Sequence, residues 1–97
     1  MHVIAKRTLK EFWEKHADAH GALEAWLAHV ERAEWNSPAD VKRDYGDADI
    51  VPDSRVVFNI KGNQYRLVVK IRYSSGVVFI RFVGTHQAYD KIDASRI

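Results

Sequence analysis

The chain has 97 residues, 46% of them hydrophobic, with three Trp, four Tyr, four Phe and no Cys. That length suits one domain built on one core, and the absence of thiols excludes a disulfide framework, a Cys nucleophile and the usual structural zinc sites. The net charge of +2 conceals a division: Met1–Ser54 carries seven Lys/Arg against eleven Asp/Glu, a net −4, whereas Arg55–Ile97 carries eight against two, a net +6.

Val3–Ala5 can open the chain as a short edge strand. From Lys6 to about Ala17, the residues Leu9, Phe12, Trp13 and His16 fall at i, i+3, i+4 and i+7, which predicts an amphipathic helix. A break at Asp18–Gly21 precedes a second helix running to about Glu34, with Leu23, Trp26, Leu27, Val30 and Ala33 on one stripe. The stripes holding Trp13 and Trp26 are expected to be core. Ser37-Pro38-Ala39-Asp40 has the form of a helix start, with Ser at N-cap, Pro at N1 and an acid at N3. It predicts a short helix ending near Tyr45, with Gly46 able to close it. The acidic stretch Asp47–Asp53 is expected to be a solvated loop, and beyond it the hydrophobic period changes from 3.6 to 2.

Three strands are predicted at about Arg55–Ile60, Gln64–Tyr73 and Gly76–Thr85, joined by turns at Gly62-Asn63 and Ser74-Ser75. These turns place Ile60, Phe58 and Val56 opposite Tyr65, Leu67 and Val69. They also place Leu67, Val69, Ile71 and Tyr73 opposite Phe82, Ile80, Val78 and Gly76. Every member of that face is apolar or Gly, and a slip of one residue would scatter them to both sides. The other face carries Arg55, Val57 and Asn59, then Gln64, Arg66, Val68, Lys70 and Arg72, then Val77, Phe79, Arg81, Val83 and Thr85. Asn59 pairs with Arg66 and Arg81 with Val68 in this register, so Arg66 and Arg81 become diagonal neighbours. The interleaved Val and Phe imply partial cover by a terminal segment or a partner. The expected fold class is α+β, with two N-terminal helices packed on an antiparallel sheet and a short C-terminal helix, as a single domain over residues 1–97.

No purely apolar run exceeds four residues, so no membrane span or signal segment is expected and the protein is expected to be cytoplasmic. The basic half attracts a polyanion, most commonly nucleic acid, unless the two halves neutralise each other across their contact. Two guanidiniums on one face can hold a scissile phosphate and its developing charge; the plainer alternative is a pair of surface strand arginines. Thr85–Lys91 is expected to turn into a short helix with His86 at the sheet end and Tyr89 and Asp90 one turn on. His is the natural proton carrier at neutral pH, and Tyr serves as acid, base or stacking platform. His16 and His20 stand at i and i+4, but the helix breaks between them, and no metal site is expected. Glycine-rich nucleotide motifs are absent.

Val57-Phe58-Asn59-Ile60-Lys61-Gly62-Asn63-Gln64-Tyr65-Arg66-Leu67 and Phe79-Ile80-Arg81-Phe82-Val83-Gly84-Thr85-His86-Gln87-Ala88-Tyr89-Asp90-Lys91 resemble the HigB toxins, messenger-RNA interferases of the RelE-like superfamily. The likeness runs nearly end to end. It implies a twisted antiparallel sheet under two helices and ribosome-associated cutting of messenger RNA by 2′-OH attack on the adjacent phosphate, with no metal or other cofactor. It also implies a helix-turn-helix, HigA-like antitoxin that silences the toxin, with operator DNA met only through that partner. Carried over by position, Arg66 and Arg81 clamp the phosphate, and His86 and Tyr89 are the acid–base or base-stacking groups. Lys61 is a further cation, Asn59 and Lys91 are supporting contacts, and Lys70 joins them on the basic face. The position two residues before Lys61 is Asn59 where a second lysine is expected; His86 is then preferred over Tyr89 as general base. Two alternatives stand beside the endoribonuclease: a binding module of the same fold that holds RNA or protein without cutting, and an enzyme acting on a small phosphorylated substrate.

Overall fold

A computed structural model describes the whole chain, Met1–Ile97. Its elements in order are β1 (His2–Ile4), α1 (Lys6–Lys15), a 3₁₀ turn (Ala17–Ala19), α2 (His20–Arg32), α3 (Pro38–Asp44), β2 (Asp49–Val51), β3 (Arg55–Ile60), β4 (Tyr65–Arg72), β5 (Val77–Thr85) and α4 (His86–Tyr89). The class is α+β, as expected. One sheet runs in the order β1-β5-β4-β3-β2. It is mixed rather than antiparallel throughout, because β1 lies parallel to β5. A hairpin forces antiparallel pairing, whereas β1 reaches β5 only after most of the chain has intervened. The second departure is β2, which lies inside the acidic stretch expected to be a loop and pairs Ile50 with Val56. Ile50 is 43% exposed, so backbone pairing makes this strand, and hydrophobic alternation does not announce it.

The two long helices cover one sheet face. Leu9 from α1 and Leu23, Trp26, Leu27 and Val30 from α2 are buried against Val56, Phe58, Leu67, Val69, Ile71 and Val78. Asp18, in the 3₁₀ turn between the helices, accepts from the Tyr65 hydroxyl at 2.5 Å and the Lys61 ammonium at 3.2 Å, tying that turn to the β3–β4 hairpin. Trp35 is also core, at 1% exposure, although no periodic stripe marks it. Its Nε1 donates to Asp44 at 2.9 Å. Ser37 precedes α3 as expected but makes no side-chain cap; instead the Asp40 carboxylate accepts from the Asn36 N–H at 2.8 Å.

The β3–β4 register is the expected one, with Ile60↔Tyr65, Asn59↔Arg66, Phe58↔Leu67 and Val56↔Val69. The β4–β5 register agrees from Arg72↔Val77 to Val69↔Ile80 and then departs. A bulge at Arg81 separates Ile80, opposite Val69, from Phe82, opposite Val68. Beyond it Leu67 meets Val83 and Arg66 meets Gly84. Val83 and Thr85 therefore turn toward the helices, and Phe82 and Gly84 toward the outer face. Arg81 is not paired with Val68, and the expected Arg66–Arg81 diagonal is lost. The outer face carries a second small core in which Val57, Val68 and Ala94 are buried, with Phe82, Tyr89 and Ile97 around them. The cover implied by the apolar residues of this face is thus the segment that follows α4. Arg55 holds it, donating from Nε and Nη2 to the Ile97 main-chain oxygen at 3.0 and 2.6 Å.

Candidate functional site

Between Ser54 and Tyr89 the chain holds no Asp or Glu. Strand alternation sends Arg66, Lys70 and Arg72 of β4 to the outer face. None of these, nor Arg81, has a carboxylate partner. The outer face therefore keeps four cations without an ion-pair partner; the one carboxylate its strands carry is Asp49, at the β2 edge across from Val57.

His86 opens α4, whose first turn is capped by Thr85: its Oγ1 accepts from the Ala88 N–H at 3.2 Å. The His86 N–H donates to the Gln64 carbonyl at 3.1 Å. Arg66 Nη1 donates to the Asn63 carbonyl at 2.9 Å and to that of Tyr65 at 3.3 Å. Both residues are thereby fastened to the Asn63–Arg66 stretch, at one end of the sheet. Arg66 makes no protein hydrogen bond through Nε or Nη2, which leaves three N–H donors for a ligand. His86 Nδ1 lies 3.6 Å from Asp90 Oδ2. That distance is beyond a hydrogen bond, so Asp90 acts on the imidazole only as a nearby negative charge on the same helix. Asp90 is not among the site residues expected from the sequence; its signal is the i, i+4 spacing from His86 on a helix.

The other predicted residues divide. Asn59 lies across from Arg66, and its amide donates to the Asp47 carboxylate at 3.3 Å. Tyr89 packs its ring against the small outer core. Lys91 is exposed just past α4. Lys70 lies between Arg55 on β3 and Phe79 on β5. Lys61 turns toward the helical layer, where it is paired with Asp18. Arg81 is exposed in the bulge, its guanidinium 5.5 Å from the centroid of the Phe79 ring, which Arg72 approaches to 5.6 Å. The fold therefore brings Arg66, His86 and Asn59 to one end of the face and sets Arg81 and Lys70 farther along it.

Apart from Asp93 in the C-terminal cover, which Ser95 holds below its ordinary value, the groups whose protonation the fold shifts lie elsewhere. The Tyr65 hydroxyl, and after it Lys61, holds the Asp18 carboxyl below its ordinary value, and Asp18 in turn pushes the Tyr65 phenol up. Trp35 Nε1–H and then His29 lower Asp44. Burial, with Asp44 second, pushes Tyr45 up to about 12. These are ties between elements of the fold, and none involves the outer face.

Residues 19–92 match the HigB toxin family, described as the RelE-like toxic component of a toxin-antitoxin system. The chain belongs to the HigB toxin family. It is 30% identical over 92 residues to the mRNA interferase toxin HigB of Escherichia coli strain K12, covering 93% of this chain and 88% of that protein. The mRNA interferase HigB of Shigella flexneri matches with the same identity and coverage. The mRNA interferase HigB of Escherichia coli O6:H1 strain CFT073 is 21% identical over 94 residues, 95% of this chain and 91% of that one. No helix of this HigB-family toxin is long and apolar enough to cross a membrane.

The shape of the molecule bears on what this toxin can hold. Its two open depressions measure about 610 and 640 Å³; one lies between α2 and α3, the other beside Met1, Tyr73 and Gly76. Neither contains Arg66, Arg81, His86 or Tyr89. The basic face is an open surface, whereas small-molecule sites enclose most of their ligand. Such a surface suits an extended polyanion better than a small phosphorylated compound.

Proposed function

We propose that the chain is a cytoplasmic endoribonuclease that cuts messenger RNA on the ribosome, with residues 1–97 acting as one toxin domain. His86 takes the proton from a ribose 2′-OH through Nε2, with Asp90 as a nearby negative charge on the side of the opposite ring nitrogen. The 2′-oxygen attacks the adjacent phosphorus, the P–O5′ bond breaks, and the 5′-oxygen takes a proton from Tyr89. The products are a 2′,3′-cyclic phosphate and a 5′-OH. Arg66, with its free fork, holds the non-bridging oxygens and the charge that develops on them, and Arg81, farther along the face, holds the adjoining backbone phosphate. Asn59, Lys70 and Lys91 bind the RNA on either side, and Lys61 joins them where its pairing with Asp18 opens. Base, acid and charge stabilisation are all supplied by side chains, so the reaction runs without a metal.

The observation that carries this reading is the fastening of Arg66 and His86 to the same Asn63–Arg66 stretch, in a run from Ser54 to Tyr89 that holds no Asp or Glu. The family description and the names of the relatives support it. The antitoxin is a HigA-like helix-turn-helix protein, and operator DNA is met only through it. The test is an RNA cleavage assay with purified chain in excess EDTA, on free and ribosome-loaded message. A 2′,3′-cyclic phosphate product is expected from the loaded message. RNA that is bound tightly and left whole in both settings, with or without added divalent ions, would support the non-cutting binding module instead.

A further inference from the structure

Phe79 is the one Phe, Tyr or Trp on the uncovered half of the outer face. It stands between Lys70 on β4 and Ile4 on β1. The C-terminal cover packs on Val57, Val68 and Phe82 and does not include it. Phe79 belongs to neither hydrophobic cluster, and its neighbour Ile4 is 41% exposed. The guanidiniums of Arg81 and Arg72, at 5.5 and 5.6 Å from its centroid, sit near the outer limit of about 6 Å for a cation–π pair. Both lie over the ring, so a base stacking there takes the place of one of them. Phe79 is thus a half-buried aromatic side chain outside both cores, whose partners are cations that lack a carboxylate.

We propose that Phe79 is a stacking platform for one unpaired RNA base, with Lys70, Arg72 and Arg81 holding the phosphates around it. This deepens the nuclease reading and rests on it. A ring set among guanidiniums is how single-stranded nucleic acid is commonly held: bases stack on the π face and the cations follow the backbone. A protein partner fits this patch less well, since it would have to bring carboxylates to three cations and would gain a single ring. Phe79 lies across from Lys70, four strand residues beyond Arg66, or about 13 Å at ~3.3 Å per residue. The stacked base is therefore not at the scissile bond but farther along the strand. Such a platform sets the distance between a gripped base and the phosphate presented to Arg66 and His86, and so selects where the message is cut.

The test is binding of a short, mixed-sequence, single-stranded RNA to the full chain. The RNA is 2′-O-methylated so that it cannot be cut, and one base at a time is removed to leave an abasic sugar. Wild type should have one position at which base removal weakens binding about ten-fold, within the roughly 5- to 150-fold expected for one base–aromatic stack. Phe79→Leu should weaken binding of the intact RNA by a similar factor and become indifferent to base removal at that position. Phe79→Tyr should keep both properties, and the Phe79 ring protons should move upfield when RNA binds. A folded Phe79→Leu with wild-type affinity and an unchanged abasic profile would overturn the platform. If that variant also lost antitoxin binding, the patch would pass to a protein partner. Should Phe79→Leu not fold, a wild type with no sensitive position and unshifted ring protons would overturn the platform equally. Loss of binding in Arg66→Ala beside a wild-type-like Phe79→Leu removes the platform alone; a wild type that binds no free RNA also overturns the platform, and the nuclease reading is then decided separately by cleavage of ribosome-loaded message.

Discussion

Replacing Gly84 with Ala probes the bulged register at the point where it matters for the site. Gly84 is buried and lies across from Arg66. A Cβ added there would stand 2.6 Å from Cζ of the Phe82 ring and 3.2 and 3.3 Å from its two Cε atoms. Carbon atoms in good contact are about 3.5–4.0 Å apart, so either the ring leaves Val57, Val68 and Ala94 or the strand shifts. Overpacking of this kind costs about 1–3 kcal/mol. At about 4–8 °C per kcal/mol for a chain of this size, the melting temperature should fall by roughly 5–20 °C. Phe82→Leu alone should also destabilise by thinning the outer core. In that background, however, Gly84→Ala should cost less, with a coupling of about 0.5–3 kcal/mol. Thermal denaturation of wild type, both single variants and the double variant, followed by circular dichroism, measures this. A Gly84→Ala protein that melts like wild type, or strictly additive effects, would refute the placement of Phe82 and Gly84 on one face.

Three further outcomes are expected. Because the Asp18 carboxyl is held below its ordinary value of 3.8, its contribution to stability is present above that pH and is lost as pH falls through the lowered value. Tyr65→Phe removes the largest cause, so its melting temperature should be below wild type at pH 7 and converge on it in acid; parallel curves down to pH ~2 would contradict the tie. Trp26 Nε1 is buried without a partner, whereas Trp35 Nε1 donates to Asp44. Trp35→Phe should therefore destabilise more than Trp26→Phe in urea denaturation, and the reverse order would show that the bond to Asp44 adds nothing. In RNA cleavage, His86→Ala should lose about 10²–10⁴-fold in kcat, and Asp90→Ala less, with KM little changed. An Asp90→Ala loss carried wholly by KM would remove it as the charge that acts on His86.

What could be read from the sequence follows physical contrast. Around the β3–β4 turn Phe58, Ile60, Tyr65 and Leu67 alternate with Asn59, Gln64 and Arg66, so once the Gly62-Asn63 turn is placed Asn59↔Arg66 and Ile60↔Tyr65 follow. From Phe79 to Val83 both faces are apolar except at Arg81, so an inserted residue leaves no trace in the pattern and the bulge goes unseen. β2 is three residues long and owes its place to backbone pairing, which composition does not report. Trp35 lies between helices, outside any periodic stripe, and its burial depends on Asp44 arriving from α3. Of the site, the cations and the His86–Tyr89 segment were legible as residue types. Their grouping was not, because it rests on Arg66 bonding back to Asn63, on His86 bonding to Gln64, and on Asp18 drawing Lys61 to the helical side.

The central claim is that the basic outer face cuts RNA through its arginines. The most direct measurement is inducible expression in a bacterial host, wild type beside an Arg66→Ala/Arg81→Ala double variant, with growth and messenger-RNA 5′ ends followed together. The account predicts growth arrest with new internal 5′ ends in wild type and neither in a double variant that is expressed and folded. Intact messages under well-expressed wild type, or the same cuts in the folded double variant, would contradict it.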